Sequence, residues 1–193
     1  PTEVAQKIFD YTITSLDWAR HALDIEQMNA AVNLILKADH LEIFGFGASA
    51  IVAQDLQQKF PLLGIPCNAT TDSHQQLMAA SMMKRGSVAV AISNTGATRS
   101  ITELARLARE QGAKVIAITG KTDSPLVHYS DVVITVETLD NTDLFTPTTS
   151  RIAALVVADV LSTLVARRLG KAHNERLTRM KRYLRQMRRN EMF

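Results

Sequence analysis

The chain has 193 residues, of which 46% are hydrophobic, and this is enough apolar material for one buried core but not for a second full domain. Its net charge of +3 is unevenly distributed, since residues 167–193 hold ten Lys and Arg against two Glu, whereas residues 1–166 hold 12 against 17. No apolar run approaches the roughly 20 residues of a membrane span, the N-terminus lacks signal-peptide features, and Cys67 is the only cysteine. We therefore expect a cytoplasmic protein with no membrane partner, no disulfide and no metal.

The spacing of apolar residues predicts helices first and then an alternation of strands and helices. Two helices are expected within residues 2–37, with a break near Leu23 and Asp24. Beyond them, strands are predicted over residues 41–46, 65–69, 87–92, 114–119 and 132–136, and helices over residues 49–62, 74–83 and 98–111. This alternation predicts an α/β fold, a doubly wound three-layer sandwich with a five-stranded parallel sheet.

The C-terminal part is predicted to be helical. A polar loop over residues 137–149 precedes a long apolar helix over residues 151–169, and a basic helix follows. The basic helix carries an apolar stripe three to four residues apart, made of Leu177, Met180, Leu184 and Met187. We expect this helix to dock onto the domain or onto a dimer mate, with contact to nucleic-acid phosphates as the alternative.

Three predicted loops carry the candidate binding residues. The first strand ends in GFGAS over residues 45–49, the third in SNTGATR over residues 93–99, and TTSR over residues 148–151 opens the long final helix. Glycines, hydroxyls and helix-terminal N–H groups suit the oxygens of a phosphate monoester. Because ligands of parallel sheets bind beyond the carboxyl ends of the strands, the loops are expected to converge on one ligand.

The first loop also matches a dinucleotide fingerprint through Gly45, Gly47 and Ala50. Asp72 would then hold the ribose, although it fits equally well as the N-cap of the next helix. A dinucleotide site has no use for the hydroxyl-rich second loop, which favours a phosphate monoester instead. Arg99 and Arg151 are the cations best placed to meet a further negative charge such as a carboxylate.

The order of the three loops resembles the SIS (sugar isomerase) family over residues 38–169. The shared motifs are GxGxS after one strand, SxTGxT opening a helix, and a hydroxyl cluster at the start of a long final helix. The resemblance implies a five-stranded parallel sheet, phosphosugar binding and frequent dimerisation. It implies that the ligand is bound by Ser49, Ser93, Thr95, Thr98 and Ser150, together with the loop glycines Gly47 and Gly96. Further candidate contacts are Ala48, Asn94, Arg99, His74, Thr149 and Arg151.

A narrower resemblance covers nearly the whole chain, including ETLDNTDL over residues 137–144 and the pair Ser150 and Arg151. It is similar to the effector domain of RpiR-type transcriptional regulators. That resemblance implies N-terminal helices (1–37) leading from a DNA-binding helix-turn-helix domain absent from this chain, a phosphosugar-binding domain (38–169) and a basic C-terminal helix (170–193). It also implies a homodimer or higher homo-oligomer, with 2-keto-3-deoxy-6-phosphogluconate as the effector and glucose catabolism by the Entner-Doudoroff route as the regulated process.

An aldose-ketose isomerase needs a base over the carbon beside the carbonyl, usually a Glu. In isomerases of the SIS family this Glu lies near the start of the final helix, where the present chain has Thr149, Ser150 and Arg151. We therefore expect a ligand sensor with no catalytic residue and no cofactor. A sugar-phosphate isomerase is the alternative, in which His74 or Glu137 would act as the acid or base.

Overall fold

The computed structural model describes residues 2–139 and 149–190 and contains one parallel sheet with the strand order β2-β1-β3-β4-β5. The strands are β1 (His40–Phe44), β2 (Cys67–Asn68), β3 (Ser87–Ile92), β4 (Lys114–Thr119) and β5 (Val132–Thr135). The order runs outward in both directions from β1 and β3, so these strands form the switch point of a doubly wound sheet. The predicted five-stranded parallel α/β fold is confirmed.

Six α-helices surround the sheet within the described residues: α1 (Thr2–Ala22), α2 (Ile25–Lys37), α3 (Ala48–Lys59), α4 (Ser73–Ser81), α5 (Arg99–Glu110) and α6 (Thr149–Asn190). The predicted break near Leu23 and Asp24 is confirmed. The Asp24 carboxylate accepts hydrogen bonds from the N–H groups of Glu26 and Gln27 at 2.8 and 3.1 Å and so caps α2. None of these helices is long and apolar enough to cross a membrane.

Two elements are shorter than the apolar pattern predicts, and proline is involved in both. The strand expected over residues 65–69 pairs only at Cys67–Asn68, because Pro66 has no N–H to donate at this sheet edge. The helix expected over residues 49–62 ends at Lys59. Pro61 then starts a 3-10 turn, Phe60–Leu63, that closes on Gly64 at φ 77°.

The central strand β3 sends its larger side chains to one face of the sheet and its alanines to the other. Val88, Val90 and Ile92 of β3 pack with α2, α3 and the first half of α6, whereas Ala89 and Ala91 pack with α4 and α5. All six residues of β3 are buried. A strand buried on both faces is predominantly apolar, which explains the continuous apolar run over residues 88–92.

The C-terminal helix changes character at Gly170, whose φ of 71° and ψ of −157° are not helical. Before this point α6 packs into the core through residues such as Leu161 and Val165. Beyond it, the predicted apolar stripe is only partly covered, and Leu184 and Met187 are 46% and 59% exposed. The expected docking of this helix onto its own domain is therefore not seen at these residues, and docking onto a dimer mate stays a prediction.

Candidate functional site

A cavity of about 180 Å³ lies at the carboxyl ends of the strands, next to the switch point between β1 and β3. Its walls combine hydroxyl, amide and apolar groups: Phe46, Ala48, Ser49, Val52, Ile92, Ser93, Asn94, Thr95, Thr98, Ile118, Thr119, Gly120, Val136, Ser150, Arg151 and Ala154. The first turns of α3 and α6 and the N-cap residue of α5 reach it. The structure thus brings the three predicted loops together at one place.

The glycine loop brings the end of β1 close to the first turn of α3. A Cβ on Gly45 would lie 2.7 Å from the carbonyl oxygen of Ser49, so a larger residue would push the loop away. Gly47 precedes α3 with φ 55° and ψ −124°. Ala48 and Ser49 follow it and line the cavity. The positive end of the α3 dipole therefore faces the cavity.

The second loop directs two hydroxyls at each other. Ser93 is buried at the end of β3, and its Oγ lies 3.0 Å from Oγ1 of Thr98. Thr98 occupies the N-cap position of α5 but makes no side-chain capping bond. Gly96 turns the loop at φ 60°, where a Cβ would lie 2.0 Å from Oγ of Ser124. The hydroxyl of Thr98 thus bonds to that of Ser93 on the cavity wall and does not cap α5.

The third loop provides the cation of the cavity. Thr149 and Ser150 are buried at the start of α6, and Ser150 and Arg151 line the cavity. Arg151 is the only charged side chain among the described residues of the wall, and no carboxylate or imidazole is found among them. Thr148 and residues 140–144, which belong to the sequence motifs, lie outside the described residues.

The sequence of residues 34–164 matches the profile of the SIS domain, and this stretch is more than half of the chain. The chain belongs to the SIS domain family. It is 41% identical over 181 residues to the HTH-type transcriptional regulator HexR of Pseudomonas aeruginosa and 39% identical over 182 residues to HexR of Escherichia coli. Each match covers 94% of this chain and 63% of the regulator, so the chain spans less than two thirds of their length.

The SIS domain also matches RpiR of Escherichia coli, at 27% identity over 166 residues that cover 86% of this chain and 56% of RpiR. The resemblance to RpiR-type regulators seen in the sequence is confirmed, and HexR is among the regulators that the chain is similar to. In three dimensions the domain is similar to Vibrio vulnificus NanR complexed with ManNAc-6P, with a TM-score of 0.88, 21% identity and coverage of 95% of this chain and 69% of that chain. Phosphoheptose isomerase GmhA of Neisseria gonorrhoeae shares the fold at a TM-score of 0.71, 19% identity and coverage of 85% and 98%.

Three of the residues singled out in the sequence lie away from the cavity of the SIS domain. Arg99, in the first turn of α5, is exposed and does not line it. His74 lines a neighbouring cavity of about 260 Å³ and is separated from the first one by Phe46, which borders both. Glu137 is exposed and also absent from the wall.

The position of Asp72 bears on whether the glycine loop belongs to a dinucleotide site. Its carboxylate accepts a hydrogen bond from the N–H of Gln75 at 2.8 Å and so caps α4. The capping role is present in the structure, and Asp72 is not among the residues that line the cavity.

Sequence reasoning missed Thr119 and Gly120, which line the cavity at the end of β4. The Gly120 N–H donates to the carbonyl of Asn94 at 2.9 Å, and a Cβ on Gly120 would lie 2.8 Å from Oδ1 of Asn94. A polar residue and a glycine at a strand end are the same signal that identified the other loops. The apolar wall residues, such as Ile118 and Val136, carry no such signal because they look like ordinary strand residues.

An ion cluster connects two helices whose N-termini reach the cavity. Lys59 of α3 pairs with Asp55 of the same helix and, at 2.7 Å, with Asp159 of α6. Burial lowers the pKa of Lys59, but the hydrogen bonds and charges of Asp159 and Asp55 outweigh burial, so the pKa is raised and the lysine remains charged. The cluster therefore connects α3 to α6 at the protein surface.

Proposed function

We propose that this SIS domain is the effector-sensing part of a transcriptional regulator and that it binds a phosphorylated sugar acid without converting it. The observation that carries this proposal is the composition of the cavity wall. Its described residues combine clustered hydroxyls and helix N-termini with one arginine, and they include no carboxylate or imidazole. The described residues of this wall can bind anions, and none of them is a general base.

The phosphate is assigned to the hydroxyl-rich end of the cavity. Ser49, Ser93, Thr95 and Thr98 lie on its wall, and Ser150 adds a fifth hydroxyl from α6. Hydroxyl and backbone donors bind a phosphate dianion with short, charge-assisted bonds, and the helix dipoles add favourable potential. Gly47 and Gly96 shape the loops, and the backbones of Ala48 and Asn94 complete the proposed set.

The acid group is assigned to Arg151. It is a wall residue with no salt bridge to another described residue, so its guanidinium is free to form a bidentate pair with a ligand carboxylate. Similarity to HexR supports 2-keto-3-deoxy-6-phosphogluconate as the effector, since that compound carries a carboxylate and a phosphate at opposite ends. Arg99 lies outside the wall and is the weaker candidate for this role.

Isomerase activity is the alternative that the wall argues against. An isomerase base must lie within hydrogen-bond reach of the proton that it removes. Glu137 is exposed and His74 lines a separate cavity, so neither is in the wall with the hydroxyls. The likeness to solved isomerases is a likeness of fold, and a fold does not by itself assign an activity.

Signal transmission is proposed to run from the cavity to the N-terminal helices, which in the longer regulator would lead to a helix-turn-helix domain that binds DNA. Arg168 of α6 donates to Oδ1 of Asn29 and Asn33 of α2 at 3.2 and 3.3 Å. Gln27 of α2 accepts a hydrogen bond from the N–H of Val133 in β5 at 3.0 Å. A ligand that prefers one arrangement of α6 and β5 would thereby shift the position of α2.

The domain organisation and assembly proposed from the sequence fit this scheme. Residues 1–37 would be the lever, residues 38–169 the sensor, and residues 170–193 a helix that docks onto the partner in a homodimer. Exposed apolar side chains on α1 support the homodimer: Val4, Ile8, Phe9, Tyr11, Ile13 and Trp18 are each between 43% and 70% exposed. Exposed apolar surface on this scale is typical of an interaction site.

A thermal-shift titration against phosphorylated sugars and sugar acids tests the proposal, with unphosphorylated sugars and NAD as controls. A ligand at about 100 times its Kd stabilises the folded state by about 2.7 kcal/mol, which raises Tm clearly. We expect 2-keto-3-deoxy-6-phosphogluconate to raise Tm and to be recovered unchanged. Turnover of a phosphosugar would establish an isomerase, and stabilisation by NAD alone would overturn the proposed ligand class.

A further inference from the structure

Gln76 is a polar residue in a place where the fold needs an apolar one. It is fully buried in α4, and Ala80, one turn later on the same face, packs into the apolar core on that side of the sheet. Gln76 does not line the cavity. Because this buried amide does not line the cavity, its presence has to be explained by the hydrogen bonds that it makes.

The side chain of Gln76 joins the ends of two strands. Its Nε2 donates to the carbonyl oxygen of Gly45 at 3.3 Å and to that of Thr70 at 2.8 Å. Gly45 opens the glycine loop after β1, and Thr70 follows β2. Both partners are carbonyl oxygens, which can only accept, so the amide nitrogen must face them and the orientation of the amide is determined.

In this orientation the amide oxygen of Gln76 makes no hydrogen bond to a described residue that would offset the cost of its burial. Oε1 of Gln76 is buried and has no hydrogen-bond partner among the described residues. A buried acceptor without a partner costs stability, and an apolar side chain of the same length would avoid that cost. The glutamine is therefore better explained by the loop that it holds than by the stability of the core.

The loop that Gln76 holds is in close contact with α3 on its other side. The space around Gly45 is so restricted that a Cβ would lie 2.7 Å from the carbonyl oxygen of Ser49. The N–H of Ser49 donates to Phe46 at 3.0 Å, and the N–H of Ala50 donates to Gly47 at 3.1 Å. A shift of the Gly45 carbonyl would thus be transmitted to the first turn of α3.

We infer that Gln76 is a positioning residue for the glycine loop and sets the direction of the α3 N-terminus toward the bound phosphate. The inference rests on the proposed function for the identity of the ligand. The geometry of the loop is independent of the proposed function and can be measured in the ligand-free protein.

The test compares Gln76→Met with wild type by amide hydrogen exchange and by phosphosugar titration. Met has a similar length but donates no hydrogen bond. We expect the amides of Ser49 and Ala50 to exchange about tenfold faster in the ligand-free variant, while those of β3 and β4 are unchanged. The Kd for the phosphosugar should rise about tenfold, with little change in Tm.

Gln75→Met is the matched control, because Gln75 is the adjacent residue of α4, is exposed, and bonds only to the hydroxyl of Thr70 through its side chain. It should leave exchange and Kd unchanged. Gln76→Leu, which also lacks a donor, replaces Gln76→Met if that variant does not fold. Unchanged exchange at Ser49 and Ala50, faster exchange throughout the domain, or faster loop exchange with an unaltered Kd would each overturn the inference. If the loop amides exchange faster but wild type binds no phosphosugar, the positioning role stands and the proposed function fails.

Discussion

Ser93 and Thr98 are the hydroxyls whose removal tests the phosphate site most directly. Their side-chain oxygens lie 3.0 Å apart on the cavity wall. Ser93→Ala with Thr98→Ala should weaken phosphosugar binding at least about 100-fold, because each hydrogen bond to a charged group contributes about 1.5–3 kcal/mol and two are lost. The fold should survive, because a backbone hydrogen bond of this loop needs neither hydroxyl: the N–H of Gly96 donates to the carbonyl of Ser93 at 3.1 Å.

The control for this double variant is Thr102→Ala. Thr102 lies one turn further along α5, and its hydroxyl donates to the carbonyl of Thr98 on the exposed side of the helix. Isothermal titration of the three proteins measures the effect. Wild-type affinity in the double variant would remove Ser93 and Thr98 from the site.

Substitutions of Arg151 and Arg99 should differ in their effect on the preference for a sugar-acid phosphate. Arg151 lines the cavity and Arg99 does not. Arg151→Gln should reduce the preference for a sugar-acid phosphate over the matching neutral sugar phosphate, because the lost pair is with the carboxylate. Arg99→Gln should leave the preference unchanged. The ratio of the two Kd values in each variant measures it, and a larger effect of Arg99→Gln would reverse the assignment.

Cys67 should behave as a weakly reactive thiol. Burial, with a smaller contribution from the charge of Glu42, raises the pKa of Cys67 to about 11. At pH 8 the thiolate fraction is then about 100-fold below that of an unfolded chain, and alkylation should be correspondingly slow. The rate of alkylation by iodoacetamide should keep rising up to about pH 11. A plateau near pH 9 would contradict this prediction. Because the pKa is raised by folding, this thiol also makes folding less favourable as pH rises above the unfolded value.

At the scale of elements, the division of α6 depends on Gly170. Its φ of 71° and ψ of −157° belong to a region that is essentially restricted to glycine. Gly170→Ala should therefore cost about 1–3 kcal/mol or straighten the helix, even though a Cβ there would meet no neighbouring atom. Chemical denaturation measures the cost. Gly45→Ala tests the opposite case. The φ of Gly45 is not positive, but a Cβ there would clash with the carbonyl oxygen of Ser49.

For the molecule as a whole, the exposed apolar side chains of α1 predict the state of assembly. Ile8→Glu should convert a dimer into a monomer, because it places a charge in the centre of an apolar interface. Lys7→Glu changes the charge at an exposed neighbouring position and serves as the control. Light scattering coupled to size-exclusion chromatography measures the mass. A wild-type monomer would contradict the proposed homodimer. A dimer that survives Ile8→Glu would show that its interface does not include this part of α1.

Pattern and spacing were sufficient for the parallel α/β fold, for the helix break at Asp24 and for the three loops with their hydroxyls and glycines. Periodicity and turn residues are local properties, so they can be read along the chain. The shortening of the strand to Cys67–Asn68 was not predicted, because the effect of Pro66 on pairing depends on its position at the sheet edge, which only the strand order determines.

Only tertiary structure decided which candidate residues share one cavity. Arg151 lies in the wall and Arg99 does not, although both lie in the first turn of a helix that follows a strand. Thr119 and Gly120 join the wall, and Gln76 reaches the Gly45 carbonyl, through contacts between elements that are far apart in sequence. Spacing along a chain determines the hydrogen-bonding groups of a loop, whereas their distances from one another depend on how the sheet and helices pack.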